Sequence, residues 1–215
     1  MQRLSETAKQ EVAAAGQSAG TLRIGTVSSS SARLLPYVRA FHAQYPEIRF
    51  ELEEGNTYEL LDLLRRDLIE IAVVRTPFPM DGMQCRFLEA EPMAAAARPG
   101  WFAGEGALSV AALASWPLIV SRRFENLIAS VCQEAGFEPD LFYKTQDART
   151  SLLWADAGLG VALVPQSALA IIPGGLSFRP IAEESLYTRI AAIAKQTRTL
   201  SEPAEAFLAA FGACS

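Results

Sequence analysis

The chain has 215 residues, of which 50% are hydrophobic and 20% are charged. This composition is typical of a globular protein and excludes a disordered chain, a fibre and a coiled coil. The 19 Lys and Arg residues against 24 Asp and Glu residues give a formal net charge of −5. That balance disfavours duplex binding by this stretch, because binding to phosphates requires concentrated positive charge.

Targeting, membrane and metal signals are missing from the sequence. No apolar run approaches the ~20 residues that are needed to cross a bilayer. The polar residues that follow Met1 predict no secretory signal. The cysteines, Cys85, Cys132 and Cys214, are far apart and form no CxxC motif, which disfavours a disulfide framework and a structural zinc site. We therefore expect a cytoplasmic protein without membrane association, metal or cofactor.

The amino-terminal residues 4–15 predict a helix that ends at Gly16. Their apolar residues recur at helical spacing, but the segment is too polar to have a core of its own. It is either a tail or the end of a longer helix that begins outside this sequence, and we favour the second interpretation.

From Thr21 onwards, strands and helices alternate. The predicted order is a strand at 22–27, a helix at 34–45, a strand at 48–54, a helix at 56–68 and a strand at 69–74. This alternation predicts parallel pairing, right-handed crossovers and helices on the faces of the sheet. The pattern of the second strand predicts one covered face, and the continuous apolar run of the third predicts two.

A second alternation follows a less regular stretch at residues 83–97, which predicts long strands, and a glycine-rich loop. Its predicted elements are a strand at 117–121, a helix at 124–135, a strand at 141–145, a helix at 150–157, a strand at 161–165, strands at 176–181 and 189–194, and a helix at 201–211. Two similar α/β units on a chain that passes between them and returns predict two Rossmann-like lobes, a hinge and an interlobe cleft. This architecture favours a binder of small molecules.

Polar residues follow the predicted strands of the first unit, where open α/β sheets bind ligands. The serine run that includes Ser28, Ser29 and Ser30 lies between a strand and a helix start, where backbone N–H groups and the helix dipole favour an anion. The alternative is that one serine simply caps the helix. Asn56 and Thr57 occupy a second such turn, and residues 56–59 resemble a capping box.

Arg75 and Thr76 directly follow the buried third strand. A guanidinium at this position can bind a carboxylate through two hydrogen bonds, or it can be exposed or paired with an acidic residue. In the second unit, Ser121, Thr145 and Gln146 end their strands in a similar way. We expect these residues to meet a ligand in the cleft.

Catalytic motifs are missing. The single histidine, His42, lies beside the apolar face of a predicted helix, and GxSxG, GxxxxGK[ST], HExxH and GxGxxG do not occur. The sequence therefore predicts no enzyme and no catalytic residue.

Several segments together resemble the effector-binding domain of LysR-type transcriptional regulators. They are LRIG at 22–25, LLPYVRAFHAQYP at 34–46, the E-G-x-T turn at 54–57 and AGLGVALVP at 157–165. The likeness covers residues 22–211. One departure is RDLIE at 66–70, where the family has G-x-L-D. We expect the acidic residue there to be structural.

The resemblance implies an α/β fold of the type 2 periplasmic-binding-protein kind. Lobe I would comprise residues 21–98 and 182–215, lobe II residues 99–181, and residues 1–20 the end of a linker helix and a loop. A winged helix-turn-helix domain that this chain lacks would make the DNA contacts. A small-molecule effector, an organic anion by our interpretation, would lie in the cleft near Ser29, Asn56–Thr57 and Arg75.

The resemblance also implies a side-by-side antiparallel homodimer, and a tetramer of the full-length protein. The helix at 34–45 would pack against the helix at 123–136 of the partner. The candidate contacts are Leu34, Phe41, His42, Tyr45, Leu127 and Val131. The alternative is that all six side chains face the core of their own protomer.

Two other functions are compatible with this architecture. A solute-binding protein of a transporter shares the two lobes, but the polar start and the helical stub argue against it. A small-molecule enzyme such as a deaminase would need a cofactor-bearing cysteine or an acid/base pair, and the sequence offers neither.

Overall fold

Ten strands and five α-helices build the described part of the chain, which comprises residues 20–172 and 174–212 of a computed structural model. The strands are β1 (Thr21–Thr26), β2 (Arg49–Glu54), β3 (Ile71–Arg75), β4 (Met83–Phe87), β5 (Met93–Ala97), β6 (Leu118–Ser121), β7 (Tyr143–Thr145), β8 (Val161–Pro165), β9 (Ser177–Pro180) and β10 (Ile190–Lys195). The helices are α1 (Ser31–Gln44), α2 (Thr57–Arg65), α3 (Glu125–Glu134), α4 (Ala148–Asp156) and α5 (Glu202–Ala210). The helix predicted at residues 4–15 lies outside the described residues.

The strands form two five-stranded sheets with the orders β2-β1-β3-β10-β4 and β7-β6-β8-β5-β9. In the first sheet, β1 pairs in parallel with β2 and β3, as the alternation predicts, and β10 is antiparallel to β3 and β4. In the second sheet, β6 is parallel to β7 and β8, whereas β5 is antiparallel to β8 and β9. The predicted α/β class with two lobes is confirmed.

Each sheet is covered by helices on both faces. In lobe I, α1 and α5 pack on one face of the first sheet and α2 on the other. In lobe II, α3 and α4 cover opposite faces of the second sheet. Every residue of β3 is buried, as its continuous apolar run predicts. None of the helices in the described ranges has the length and hydrophobicity to span a bilayer.

Two expectations for the first sheet and its crossover differ from the structure. The face of β2 that was expected to be covered is covered only in part: Phe50 is half-buried against the lobe I core, whereas Leu52 is 54% exposed. Residues 93–97 were expected in lobe I, but β5 pairs with β8 and β9 in lobe II. The apolar pattern of residues 83–97 conceals the point at which the chain changes sheets. Glu91 forms an antiparallel bridge with Thr188, where the two crossing segments meet.

Half of the candidate dimer contacts belong to the core of their own protomer. Leu34 and Phe41 are 3% and 4% exposed beneath α1, and Val131 is 5% exposed beneath α3. Helical spacing identifies the apolar face of each helix, and that face packs on the sheet of the same lobe. The other candidates differ in exposure: His42 is exposed, and Tyr45 and Leu127 are half-buried.

The RDLIE segment forms the turn between α2 and β3. Asp67 has a φ of 60°, a conformation that glycine adopts most readily. Its carboxylate accepts a hydrogen bond from Lys195 Nζ at 2.9 Å. Glu70 accepts hydrogen bonds from the backbone N–H and the hydroxyl of Ser201 at 2.9 and 3.0 Å, at the start of α5. The acidic residue at position 70 is therefore structural, as expected.

Asp67→Asn should make the stability of the fold less dependent on pH. The hydrogen bond from Lys195 holds the pKa of Asp67 below its ordinary value of 3.8. A carboxylate with a depressed folded-state pKa stabilises the native state at neutral pH, and that stability is lost as pH falls through the folded pKa. We expect the variant to have a lower urea unfolding midpoint at pH 7, with a gap to wild type that narrows below pH 3.8. A gap that does not change with pH would contradict this account of the ion pair.

Candidate functional site

A cavity of about 770 Å³ lies between the two lobes. Lobe I contributes the end of β1 and the turn before α2, and lobe II contributes the ends of β6 and β8 and the start of α4. Six of the ten predicted site residues line the cavity: Ser28, Ser29, Asn56, Thr57, Ser121 and Gln146. The structure therefore brings together strand ends from both lobes.

The amino ends of two helices, one from each lobe, border this cavity. The Asn56 side chain accepts hydrogen bonds from the backbone N–H groups of Tyr58 at 2.9 Å and Glu59 at 3.1 Å, and the Glu59 carboxylate accepts the Asn56 N–H at 2.8 Å. The predicted capping box is confirmed. Asp147 caps α4 by accepting the Thr150 N–H at 2.9 Å. The positive ends of two helix dipoles therefore act on the same space.

Thr57 lines this cavity and carries a buried polar group without a hydrogen-bond partner in the described part of the chain. The residue is 3% exposed, and its Oγ1 has no hydrogen-bond partner among the described residues. A buried hydroxyl without a partner is costly, because it has lost its hydrogen bonds to water. Ser29 lies beside the same cavity and is 9% exposed. A ligand with acceptor atoms would supply the partner that Thr57 lacks.

Arg75 does not line the cavity, and its expected role as a ligand contact is wrong. The residue is 0% exposed. Its Nη1 donates to Glu91 Oε1 at 2.5 Å and to Thr188 Oγ1 at 3.0 Å. Its Nη2 donates to the Ser29 carbonyl oxygen at 2.8 Å and to Ser167 Oγ at 3.0 Å. The guanidinium therefore holds the wall behind the cavity and has its counter-charge in Glu91.

The Arg75 network connects the two lobes. Ser167 is the second residue of the short 3-10 helix after β8 in lobe II, and it donates to Glu91 through its backbone N–H at 2.8 Å and its hydroxyl at 2.7 Å. Glu91 and Thr188 lie on the two segments that cross between the lobes. The two terminal nitrogens of one buried guanidinium therefore bond to groups from both lobes and from both crossings, whereas its Nε has no partner among the described residues.

Three further predicted residues also lie outside the cavity lining. Ser30 is 0% exposed within the 3-10 turn that precedes α1. The Thr76 hydroxyl accepts the backbone N–H of Arg189 at 2.9 Å. The Thr145 hydroxyl bonds with Ser151 Oγ at 2.7 Å and donates to the Asp147 carbonyl oxygen at 3.1 Å. Each hydroxyl at positions 76 and 145 is used to join neighbouring segments, so these residues support the site without lining it.

Three arginines of lobe II line the cavity although they were not predicted: Arg122, Arg123 and Arg149. Arg149 at the start of α4 lies 3.9 Å from the Glu54 carboxylate of lobe I, across the cleft. Arg122 and Arg123 directly follow β6, so their position beyond a strand end was a signal available in the sequence.

The surroundings of the Arg123 guanidinium lower its pKa. Burial and, to a lesser extent, the nearby charge of Arg75 lower the pKa of the Arg123 guanidinium to about 10. The group therefore stays protonated at neutral pH. Burial also lowers the pKa of Arg75, and the adjacent Glu91 carboxylate opposes that shift. The half-buried Arg123 cation therefore lines the cavity, and the fully buried Arg75 cation behind its wall is neutralised by a carboxylate.

Comparisons with known proteins identify the family to which this domain belongs. Residues 15–213 match the family model described as LysR substrate binding domain. The transcriptional regulator BudR of Raoultella terrigena is 30% identical over 181 residues, which cover 80% of this chain and 62% of BudR. The chain spans between 57% and 63% of the lengths of three curated regulators that it matches.

Two solved structures share the fold. Full-length CbnR in complex with its target DNA has a TM-score of 0.77 at 21% identity, covering 97% of this chain and 74% of CbnR. The effector-binding domain of a BenM variant has a TM-score of 0.75 at 21% identity, covering 88% of this chain and 92% of that domain. At this level of identity, the likeness shows the fold.

Glu91→Gln should destabilise the protein, because it leaves the fully buried Arg75 guanidinium without its counter-charge. Removing one partner of a buried ion pair costs about 3 kcal/mol or more, so we expect a loss of about 3 kcal/mol in the free energy of unfolding, measured by urea titration. Glu53→Gln is the control, since Glu53 is exposed and should change stability by no more than about 0.5 kcal/mol. Equal effects of the two substitutions would contradict the structural role of Arg75.

Proposed function

Since the chain belongs to the LysR substrate binding domain family, we propose that its interlobe cavity binds a small organic anion as the effector of a transcriptional regulator. The observation that carries this proposal is the unpartnered Thr57 hydroxyl at the cavity wall. It lies at the first position of α2, where the dipole and the N–H groups favour negative charge.

The dimensions and polarity of the cavity support this ligand class. A volume of about 770 Å³ is within the range of pockets that bind small molecules. Three carboxylates also line the cavity, but each has a structural use: Glu59 and Asp147 cap their helices, and Glu54 lies near Arg149. These carboxylates are therefore already used by protein groups, and the arginines of lobe II favour an anionic ligand.

Effector binding would act on the arrangement of the lobes. The ligand would contact Ser29 and Thr57 in lobe I and Gln146 in lobe II, so it would bind the closed arrangement better than the open one. A ligand shifts an equilibrium by its difference in affinity for the two states. We propose that this shift changes how attached DNA-binding domains sit on their operator, in the cytoplasm.

The relatives support a regulator over the alternatives. BudR, whose similarity covers 80% of this chain, is named as a transcriptional regulator, which disfavours a solute-binding protein. The residues that line the cavity include no histidine and no cysteine, so we propose binding without catalysis. DNA contact would be made through a separate helix-turn-helix domain of the whole protein.

Thr57→Val should separate ligand binding from stability. The substitution removes a hydroxyl that has no protein partner, so the thermal midpoint should stay the same or rise. The affinity for an effector found by screening organic acids should fall by about tenfold, because one hydrogen bond to a charged group is lost. Calorimetry and thermal unfolding measure the two effects.

Thr145→Val is the matched control for that experiment. The Thr145 hydroxyl is bonded within lobe II and does not line the cavity, so this variant should unfold at a lower temperature yet bind the effector with nearly wild-type affinity. Unchanged effector affinity in Thr57→Val would remove Thr57 from the site and, with it, the observation on which the proposal depends.

We also propose a homodimer in which the exposed face of α1 packs on the exposed face of α3 in the partner, with a tetramer in the whole protein. The exposed residues of α1 include Arg33, Leu35, Arg39 and His42, and those of α3 include Ser130, Gln133 and Glu134. Positive charge on α1 and negative charge on α3 favour this antiparallel pairing. His42, Tyr45 and Leu127 remain candidate contacts.

Arg39→Glu should weaken this dimer, because it places an acidic side chain opposite the α3 surface. We expect the dissociation constant from sedimentation equilibrium to rise by about tenfold or more. Arg86→Glu makes the same charge change on β4 at the far edge of the first sheet, where Arg86 is exposed, and it should leave the constant unchanged. A dimer that tolerates Arg39→Glu does not use this face of α1.

A further inference from the structure

Arg123 makes a direct contact between the lobes beside the cavity. It lies in the 3-10 turn that joins β6 to α3 in lobe II. Its Nη2 donates to the carbonyl oxygens of Arg75 and of Pro77 in lobe I, the latter at 3.0 Å. Arg75 is the last residue of β3 and Pro77 lies two residues beyond it, so this side chain reaches across the cleft to the first sheet.

The acceptors of Arg123 are neutral, so they leave its charge uncompensated. Within the described residues, no carboxylate lies within 4.0 Å of the Arg123 guanidinium. Arg75 differs in this respect, since Glu91 is 2.5 Å from its Nη1. The low pKa of Arg123 has burial as its main cause, which is consistent with a cation that has lost water without gaining an anion.

Arg123 also retains unused donors. Both of its hydrogen bonds leave from Nη2, and its Nε and Nη1 have no partner in the ranges that the structure describes. The guanidinium carbon lies 4.6 Å from the centre of the Phe124 ring, and Phe124 is 3% exposed. The cation–π contact and the two carbonyls therefore hold the group in place at the cavity wall.

We propose that Arg123 is the residue that selects for negative charge in the cavity, donating through Nε and Nη1 to the anionic group of the ligand while Nη2 stays on the carbonyls of lobe I. This inference rests on the proposed effector-binding function. A bound carboxylate would supply the missing counter-charge through charge-assisted hydrogen bonds. Because the same guanidinium holds lobe I, occupancy would stabilise the contact between the lobes.

The adjacent residue provides a matched control. Arg122 also lines the cavity and is exposed, and its side chain makes no hydrogen bond or ion pair within the described residues. Arg122→Gln and Arg123→Gln therefore remove the same formal charge from neighbouring positions. A difference between the two variants reports the half-buried, lobe-bridging geometry of Arg123 and not the charge of the cavity as a whole.

The experiment titrates the chain with sodium acetate, benzoate, succinate and citrate at constant ionic strength, using calorimetry. We expect Arg123→Gln to weaken the best-bound probe by about tenfold or more, and Arg122→Gln to weaken it by less than about threefold. In the wild-type chain, the ¹⁵N–¹H signal of Arg123 Nε, assigned by its loss in Arg123→Lys, should shift on titration. This second readout does not depend on the stability of a glutamine variant.

The outcomes separate the two proposals. Equal losses in both variants, or an Arg123 Nε signal that does not move while a probe binds, would overturn the role of Arg123 and leave the effector-binding proposal intact. Failure of every carboxylate to bind the wild-type chain would overturn the anion site and this inference together.

Discussion

The Arg75 guanidinium is shielded from solvent at the place where the chain crosses between its lobes. A buried cation persists only when a counter-charge and hydrogen-bond acceptors surround it, and here those partners come from Ser29, Glu91, Ser167 and Thr188. Satisfying this one group therefore fixes the end of β3, the turn after β1, both crossing segments and the start of the 3-10 helix in lobe II. The cavity exists between surfaces that this network holds at a set distance.

The sequence contains enough information for the layers of each lobe but not for the wall of the site. The continuous apolar run of β3 and the capping-box residues at 56–59 are recognisable in the sequence because both signals are local. Arg75 also ends a strand, as predicted, yet the direction of its side chain depends on Glu91, 16 residues away, and on Ser167, 92 residues away. No local sequence pattern indicates such distant partners. Arg75 was therefore expected to bind the ligand, whereas its side chain connects the two lobes.

The same limit explains the other differences. Helical spacing marks Leu34 and Phe41 as apolar, but the covering surface is the sheet of the same lobe and not a second protomer. Arg123 follows a strand end, which is a recognisable position, but its reach to the carbonyls of lobe I depends on how the lobes face each other. The family resemblance predicts the fold and the cleft. The contacts of the individual side chains at the cavity wall depend on residues that are far apart in the sequence.

In the proposed mechanism, the cleft is the receptor for a negatively charged ligand that touches both lobes. A crystal structure of the chain with a carboxylate that raises its thermal midpoint tests this most directly. We expect electron density for the carboxylate in the cavity, with its oxygens within hydrogen-bonding distance of Thr57 Oγ1 and a donor of lobe II. Density for the ligand elsewhere, for example beside Arg179 in the smaller pocket at the edge of lobe II, with an empty cleft, would contradict it.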